Sequence, residues 1–216
     1  MKIDFVSDIA CPWCAVGLNA LEIALKNIGA DIPVELHFQP FELNPQMSAE
    51  GEDAVAYLSA KYGISAEQIA RNQAAIRERG AAVAFSFGTR GRVWNTFDAH
   101  RLLHWAGVEG PEGAQRSLKH ALLQAYHGQG QNPSDTEVLL AAATQAGLDE
   151  ARAREVLGSG EFSAEVRQAE AFWQQAGIRS VPSVVVNDRH LIQGGQPPEV
   201  FEQALRQIAA EETQRA

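Results

Sequence analysis

The chain has 216 residues, 45% hydrophobic and 21% charged, with a net charge of −9 at pH 7. That length suffices for one substantial core, or for a small domain carrying an insertion. The acidic balance argues against nucleic acid or an anionic membrane as a main partner, and no apolar run approaches the roughly 20 residues of a transmembrane helix. The N-terminus enters a strand at Lys2 without a basic, apolar and cleavage-site succession, so no signal peptide is visible and a cytoplasmic protein is expected.

Lys2-Ile3-Asp4-Phe5-Val6 has a strand-like apolar pattern, and further on Val16, Ala20, Ile23, Ala24 and Ile28 recur at helical spacing. Between them lies Ala10-Cys11-Pro12-Trp13-Cys14-Ala15-Val16-Gly17, with the only two cysteines of the chain. A C-x-x-C placed where a buried strand turns into a helix reads as a thioredoxin-like redox motif. The free amides and dipole at a helix N-terminus favour a thiolate, and such cysteines have pKa values of about 3.5 to 7.5, against roughly 8.5 for an ordinary thiol. Cys11 is therefore expected as the exposed attacking sulfur. Cys14, a helical turn below it, is placed to form or resolve a disulfide. Pro12 fits the first helical turn, and Trp13 is expected to cover one side of the sulfurs. The competing readings are two inert buried thiols or half of a zinc site. Zinc normally takes four ligands, and there is neither a second cysteine pair nor a histidine nearby.

Ile32 to Pro40 reads as a second strand with Val34, Leu36 and Phe38 on one face, completing a parallel βαβ unit after Gly29. Pro40-Phe41-Glu42-Leu43-Asn44-Pro45 leads out of the sheet. Residues 52 to 176 then read as largely helical. Segments span Glu52–Tyr62 and Ser65–Arg79, with Ser65 and Gln68 as a capping box. After a loop over Thr89–Trp94, Asn95 or Thr96 caps a helix to Gly107. Another runs from near Pro111 to Gly128. Ser134 with Glu137 forms a second capping box for a helix to Gly147, followed by Asp149–Leu157. Phe162, Val166, Ala169, Trp173 and Ala176 mark a further apolar stripe. Ser183–Asn187 and His190–Gln193 form a hairpin around Asn187-Asp188. Pro197-Pro198 opens a last helix with Val200, Phe201, Ala204, Leu205 and Ile208 on its apolar face; the tail after Ala210 is expected to fray.

Val181-Pro182 immediately precedes the third strand. A thioredoxin-type site sets a cis-proline loop against the sulfurs, leaving the backbone of Val181 to pair with an extended substrate, so Pro182 is expected in the cis form. His100 and His104 have a spacing that can hold a metal, but without a third ligand they read as packed or surface histidines, and no metal is expected. Arg90 and Arg92, flanking Gly91, could hold a carboxylate such as one on glutathione; a solvated loop is the plainer reading. Trp94, Trp105 and Trp173 read as core.

Taken together, the chain resembles the DsbA-like thioredoxin proteins, most closely their FrnE-like branch. The resemblance rests on Cys11-Pro12-Trp13-Cys14 with Gly17, Pro40 to Pro45, Asn95-Thr96-Phe97-Asp98-Ala99-His100-Arg101-Leu102, Gly177-Ile178-Arg179-Ser180-Val181-Pro182 and Gly194-Gly195-Gln196-Pro197. It departs from the branch at Ser180, which usually is glycine. The order of the predicted elements, βαβ, a helical block, a helix, ββ and a last helix, reads as an α/β thioredoxin fold with an inserted all-helical domain, which the resemblance implies as well. The thioredoxin part would comprise 1–45 and 177–216, with 46–176 as the insertion. The resemblance also implies a thiol–disulfide oxidoreductase with Cys11 as nucleophile, Cys14 as resolving thiol and Pro182 as the cis-proline, where Pro12, Trp13, Val181 and Pro182 contact substrate. Partners would be thiol or disulfide substrates, with glutathione as a candidate co-substrate and no other cofactor. Two alternatives stand beside this. One is a glutathione-dependent isomerase or transferase resembling the 2-hydroxychromene-2-carboxylate isomerases, a branch that carries serine at the position of Cys11. The other is a redox-sensing or chaperone-like binder.

Overall fold

The computed structural model describes residues 1–214. Its main sheet has four strands in the order β2-β1-β5-β6, drawn from both ends of the chain. Strand β1 (Lys2–Ser7) lies parallel to β2 (Glu35–Pro40) and antiparallel to β5 (Ser183–Val186), which pairs with β6 (His190–Gln193). As a central strand β1 is buried from Ile3 to Ser7, both faces being covered. The β5–β6 turn is made by Asn187 and Asp188, both at positive φ, the geometry of a tight hairpin.

Helix α1 (Pro12–Ile28) starts on a proline and ends at Gly29, whose φ is 61°. It packs against α9 (Pro198–Thr213) on one face of the sheet. Phe201, Leu205 and Ile208 of α9 are buried there, while Val200, 100° around the helix from Phe201, is exposed and not on the apolar face as expected. The last helix also continues past Ala210 to Thr213. Strand β2 begins at Glu35, later than Ile32, because a single 3₁₀ turn over Gly29–Asp31 and the donor-less Pro33 precede it.

The segment between the strands is helical: α2 (Ala54–Tyr62), α3 (Ala66–Ala81), α4 (Phe97–Val108), α5 (Ala114–Leu123), α6 (Thr136–Gln145), α7 (Glu150–Gly158) and α8 (Ser163–Gln175). Two features depart from the sequence reading. Glu52–Asp53 (β3) and Arg92–Val93 (β4) form a two-residue antiparallel ladder instead of helix and loop. The α6 cap is Asp135, which accepts from the amides of Glu137 and Val138, while Ser134 donates to the Asn95 carbonyl. Ser65 does cap α3, although the Gln68 side chain pairs with Asn72 and does not close the box. Trp94, Trp105 and Trp173 are core residues. After α5 the chain makes one wider π turn, Gln124–Gly128, which carries Tyr126 and His127 inward.

Candidate active site

The strand-to-helix junction builds the site locally. After β1 the chain turns through Asp8-Ile9-Ala10, with the Cys11 amide donating to the Asp8 carbonyl at 3.2 Å. Cys11 takes the N-cap position of α1 in extended geometry, and no side chain caps that end. The Cys14 amide donates to the Cys11 carbonyl at 3.0 Å, so the two cysteines share the first turn. Both are free thiols.

Opposite them the Val181–Pro182 peptide is cis. The Cys11 thiol meets the Val181 carbonyl at 3.4 Å. Close approach depends on glycine: a Cβ on Gly17 would lie 2.9 Å from Pro182 Cγ and 3.2 Å from Gly195 Cα. These contacts lock α1, the proline loop and the β6–α9 turn together, and account for three of the recognised sequence segments.

Cys11 is not exposed as expected; it is only 4% accessible, at the floor of a cavity of about 610 Å³. Pro12, Trp13 and Val181 line the same cavity, with Trp13 at its rim, 38% exposed. Cys14 is fully buried beneath, and Pro182 is buried behind Val181. The far wall comes from Leu58 of α2, Ile64 of the α2–α3 connection, Ile69 and Ile76 of α3, and the Phe87–Arg90 loop.

The thiols are electrostatically unequal. Hydrogen bonding from the Cys14 thiol lowers the Cys11 pKa against the opposing effect of burial, and the backbone amides of Cys14 and Trp13 add to the lowering. Burial pushes Cys14 well above its ordinary value, and the neighbouring Cys11 sulfur adds to that. These opposite shifts make Cys11 the more acidic of the two thiols.

Three buried polar residues around the cysteines were not singled out from the sequence. Asp8 is fully buried; its Oδ1 accepts from the Ala10 amide (3.0 Å), Thr96 Oγ1 (2.8 Å) and His100 Nε2 (3.4 Å), and its Oδ2 from the Leu43 amide (2.7 Å). Burial raises its pKa, but these donors, His100 foremost, outweigh that and leave it lowered. The Pro40–Pro45 and Asn95–Leu102 segments therefore cradle one carboxylate behind the cysteines. His127 donates from Nε2 to the Ile9 carbonyl at 2.8 Å and lines the cavity; burial and the Arg90 charge push its pKa down to about 3, so the ring is neutral. Lys119 is also buried, and burial lowers its pKa to about 8 against the attraction of Cys14, Asp8 and Cys11. The only signal for these residues in the sequence was a polar residue within an apolar stretch.

The weaker candidates separate. His100 binds Asp8, whereas His104 stacks on Phe162 at 5.4 Å. Among the described residues no three His, Cys, Asp or Glu side chains gather as a metal site. Arg90 lines the cavity, but Arg92 is turned away onto the carbonyls of Glu50 and Gly51.

Comparison with known proteins fits this geometry. Residues 2–206 match the family described as DSBA-like thioredoxin domain. An uncharacterized Bacillus subtilis protein, YwbO, is 30% identical over 208 residues, covering 95% of this chain and 96% of that one. The crystal structure of a probable DsbA oxidoreductase from Streptomyces coelicolor superposes with a TM-score of 0.88 at 35% identity, covering 98% of this chain and 91% of that one. A 2-hydroxychromene-2-carboxylate isomerase superposes with a TM-score of 0.73 over all of both chains at 14% identity, a likeness of fold. Among the described residues no helix is long and apolar enough to cross a membrane.

Proposed function

Because the chain belongs to the DSBA-like thioredoxin domain family, we propose that it is a thiol–disulfide oxidoreductase that works through Cys11 and Cys14. The observation that carries this reading is the Cys11 sulfur at the floor of an open cavity, 3.4 Å from the Val181 carbonyl, with the Cys14 thiol buried below it.

In the reducing direction the Cys11 thiolate attacks one sulfur of a substrate disulfide. A Cys11–substrate disulfide forms and the other substrate half leaves as a thiolate. Cys14 then loses its proton and displaces the remaining half, closing the Cys11–Cys14 disulfide. Two electrons have passed to the substrate, and its two thiolates take up protons. The same steps in reverse oxidise two substrate thiols. Val181 holds the substrate alongside the sulfur, and Pro12 and Trp13 bound it on the other side. Stabilising the Cys11 thiolate favours the dithiol form, so the disulfide is the more oxidising. In a cytoplasmic setting the glutathione pool would hold the pair reduced, ready to reduce or isomerise.

Replacing Cys11 by serine removes the nucleophile, and exchange with a model disulfide is expected to fall to the uncatalysed rate. Cys14→Ser is expected to accumulate the mixed disulfide on Cys11, visible as a mass increase on the intact protein. Full turnover by Cys11→Ser would reject the reading.

A further inference from the structure

The cavity over Cys11 carries a charge pattern opposite to that of the whole chain. Lys61, Arg77, Arg90 and Arg179 all line it, and no aspartate or glutamate does. Elsewhere many arginines are paired with carboxylates, among them Arg71 with Glu67, Arg116 with Glu22, Arg152 with Glu109 and Glu161, Arg167 with Glu42, and Arg206 with Glu202, while Arg79 and Arg92 rest on backbone carbonyls. In a chain of net charge −9 there is no shortage of acids, yet the four cavity cations form no ion pair among the described residues. Lys61 is held by neutral oxygens, the Leu43 carbonyl at 2.8 Å and Asn44 Oδ1 at 2.6 Å. Arg90 is the deepest of the four. Its Nε is buried without a hydrogen-bond partner, and its guanidinium lies 5.4 Å from the Tyr126 ring centre. A buried donor left unsatisfied is costly and calls for an acceptor. The same cavity also has an apolar part to its lining, from Leu58, Ile64, Ile76 and Phe87.

Resting on the thiol–disulfide exchange proposed above, we infer that the preferred substrate is a small disulfide, or its thiol, with an apolar body and a carboxylate, the carboxylate received by Arg90 and Lys61. A volume of about 610 Å³ suits a small molecule or the end of a peptide, since ligand pockets run to ~300–1,000 Å³. Guanidinium groups match carboxylates by paired hydrogen bonds. The recessed position of Cys11 means the sulfur must be reached through this lining. In the exchange the substrate disulfide is reduced by two electrons to two thiols, and the Cys11–Cys14 dithiol is oxidised to the disulfide.

The test is stopped-flow oxidation of the reduced full chain by the dicarboxylate dithiobis(nitrobenzoate) and by neutral dithiodipyridine, each rate divided by that of a free model thiol. The normalised preference for the anion is expected to be about tenfold, equivalent to ~1.4 kcal/mol, and to shrink as salt is raised. Arg90→Gln combined with Lys61→Gln should bring the ratio towards one, whereas Arg90→Lys should keep most of it. Glutathione disulfide, charged but polar, should show a smaller normalised rate than the aromatic dicarboxylate. Peptide disulfides with free or amidated C-termini separate the carboxylate sources: a faster free-ended form assigns the site to chain ends, and no difference assigns it to small acids. A normalised ratio of one in the unaltered protein, or a ratio untouched by the double substitution, would overturn the substrate class while leaving exchange intact. Failure of every disulfide to oxidise Cys11 would instead reject the exchange itself.

Discussion

Around Cys11 the structure is closely packed, while across the cavity it is thin. Ile9, Ala10 and Cys14 are 0–2% exposed, and most of the first three turns of α1 is buried with them. By contrast α2 buries only Ala54, and α3 only Ile69 and Gly80. Tyr57 and Leu58 of α2 and Ile69, Ala75 and Ile76 of α3 line the cavity. Attack on a disulfide, as proposed, would demand a fixed line between sulfurs, and the floor is held by close backbone contacts and a saturated buried carboxylate. The proposed substrate choice would need only shape and charge, which α2 and α3, with little buried surface, and the Phe87–Arg90 loop would supply. Damage to the floor should therefore cost stability and all exchange together. Damage to the wall should cost little stability and alter preference alone.

The strongest way to break this contrast is Gly17→Val. Its Cβ would meet Pro182 at 2.9 Å and the Gly195 backbone at 3.2 Å, so the proline loop must move away from the sulfur. We expect a loss of about 2–3 kcal/mol from overpacking, and roughly 100-fold slower exchange with any disulfide from misplacement of the loop. Denaturant midpoints and stopped-flow rates with charged and neutral probes check this. Normal stability with altered preference would place Gly17 with the wall.

Asp8→Asn follows. It keeps the shape but cannot accept from four donors, three of them on one oxygen, and should cost about 2–4 kcal/mol. The folded Asp8 pKa lies below its ordinary value of 3.8, so this carboxylate stabilises the fold above that pH and the contribution is lost as pH falls through the folded pKa. The variant's deficit should accordingly be full at neutral pH and narrow below about pH 4. Asp8 also raises the Cys11 pKa, so Cys11 alkylation in the variant should persist to lower pH. An unchanged alkylation profile would show that Asp8 acts on packing alone.

The same contrast decides what the sequence revealed. The floor was legible because its signal is local: a strand pattern, two cysteines three apart, a proline and a helical stripe. The partners of Asp8 come from positions 10, 43, 96 and 100, so its cradle exists only once the chain is folded. The recess of Cys11 was hidden for a related reason, since a helix N-terminus says nothing of what stands above it. On α2 and α3, apolar residues that line a cavity recur at the same period as those that face a core. Arg90 and Arg92 looked equivalent, but the short β3–β4 ladder holds Arg92 against the Glu50 and Gly51 carbonyls and leaves Arg90 at the cavity.

The smallest expected effect sharpens the wall side of the comparison. Ile76 is half-buried on α3, its side chain in the cavity lining instead of the core. Fully buried isoleucine to alanine changes cost about 2–5 kcal/mol, because they leave a closed void. Here the space opens into a cavity already present, and much of the transfer term is absent since the side chain is part-exposed. Ile76→Ala is therefore expected to cost about 1 kcal/mol or less. It also removes apolar surface that a substrate would cover, so exchange with an aromatic disulfide should slow about threefold to tenfold, with a smaller change for cystamine, a compact and polar disulfide. Parallel denaturation and kinetics read both quantities. If Ile76→Ala destabilised the chain as much as Gly17→Val, or slowed both disulfides alike, α3 would belong to the rigid frame of the site, and the division between a fixed floor and a selective wall would fail.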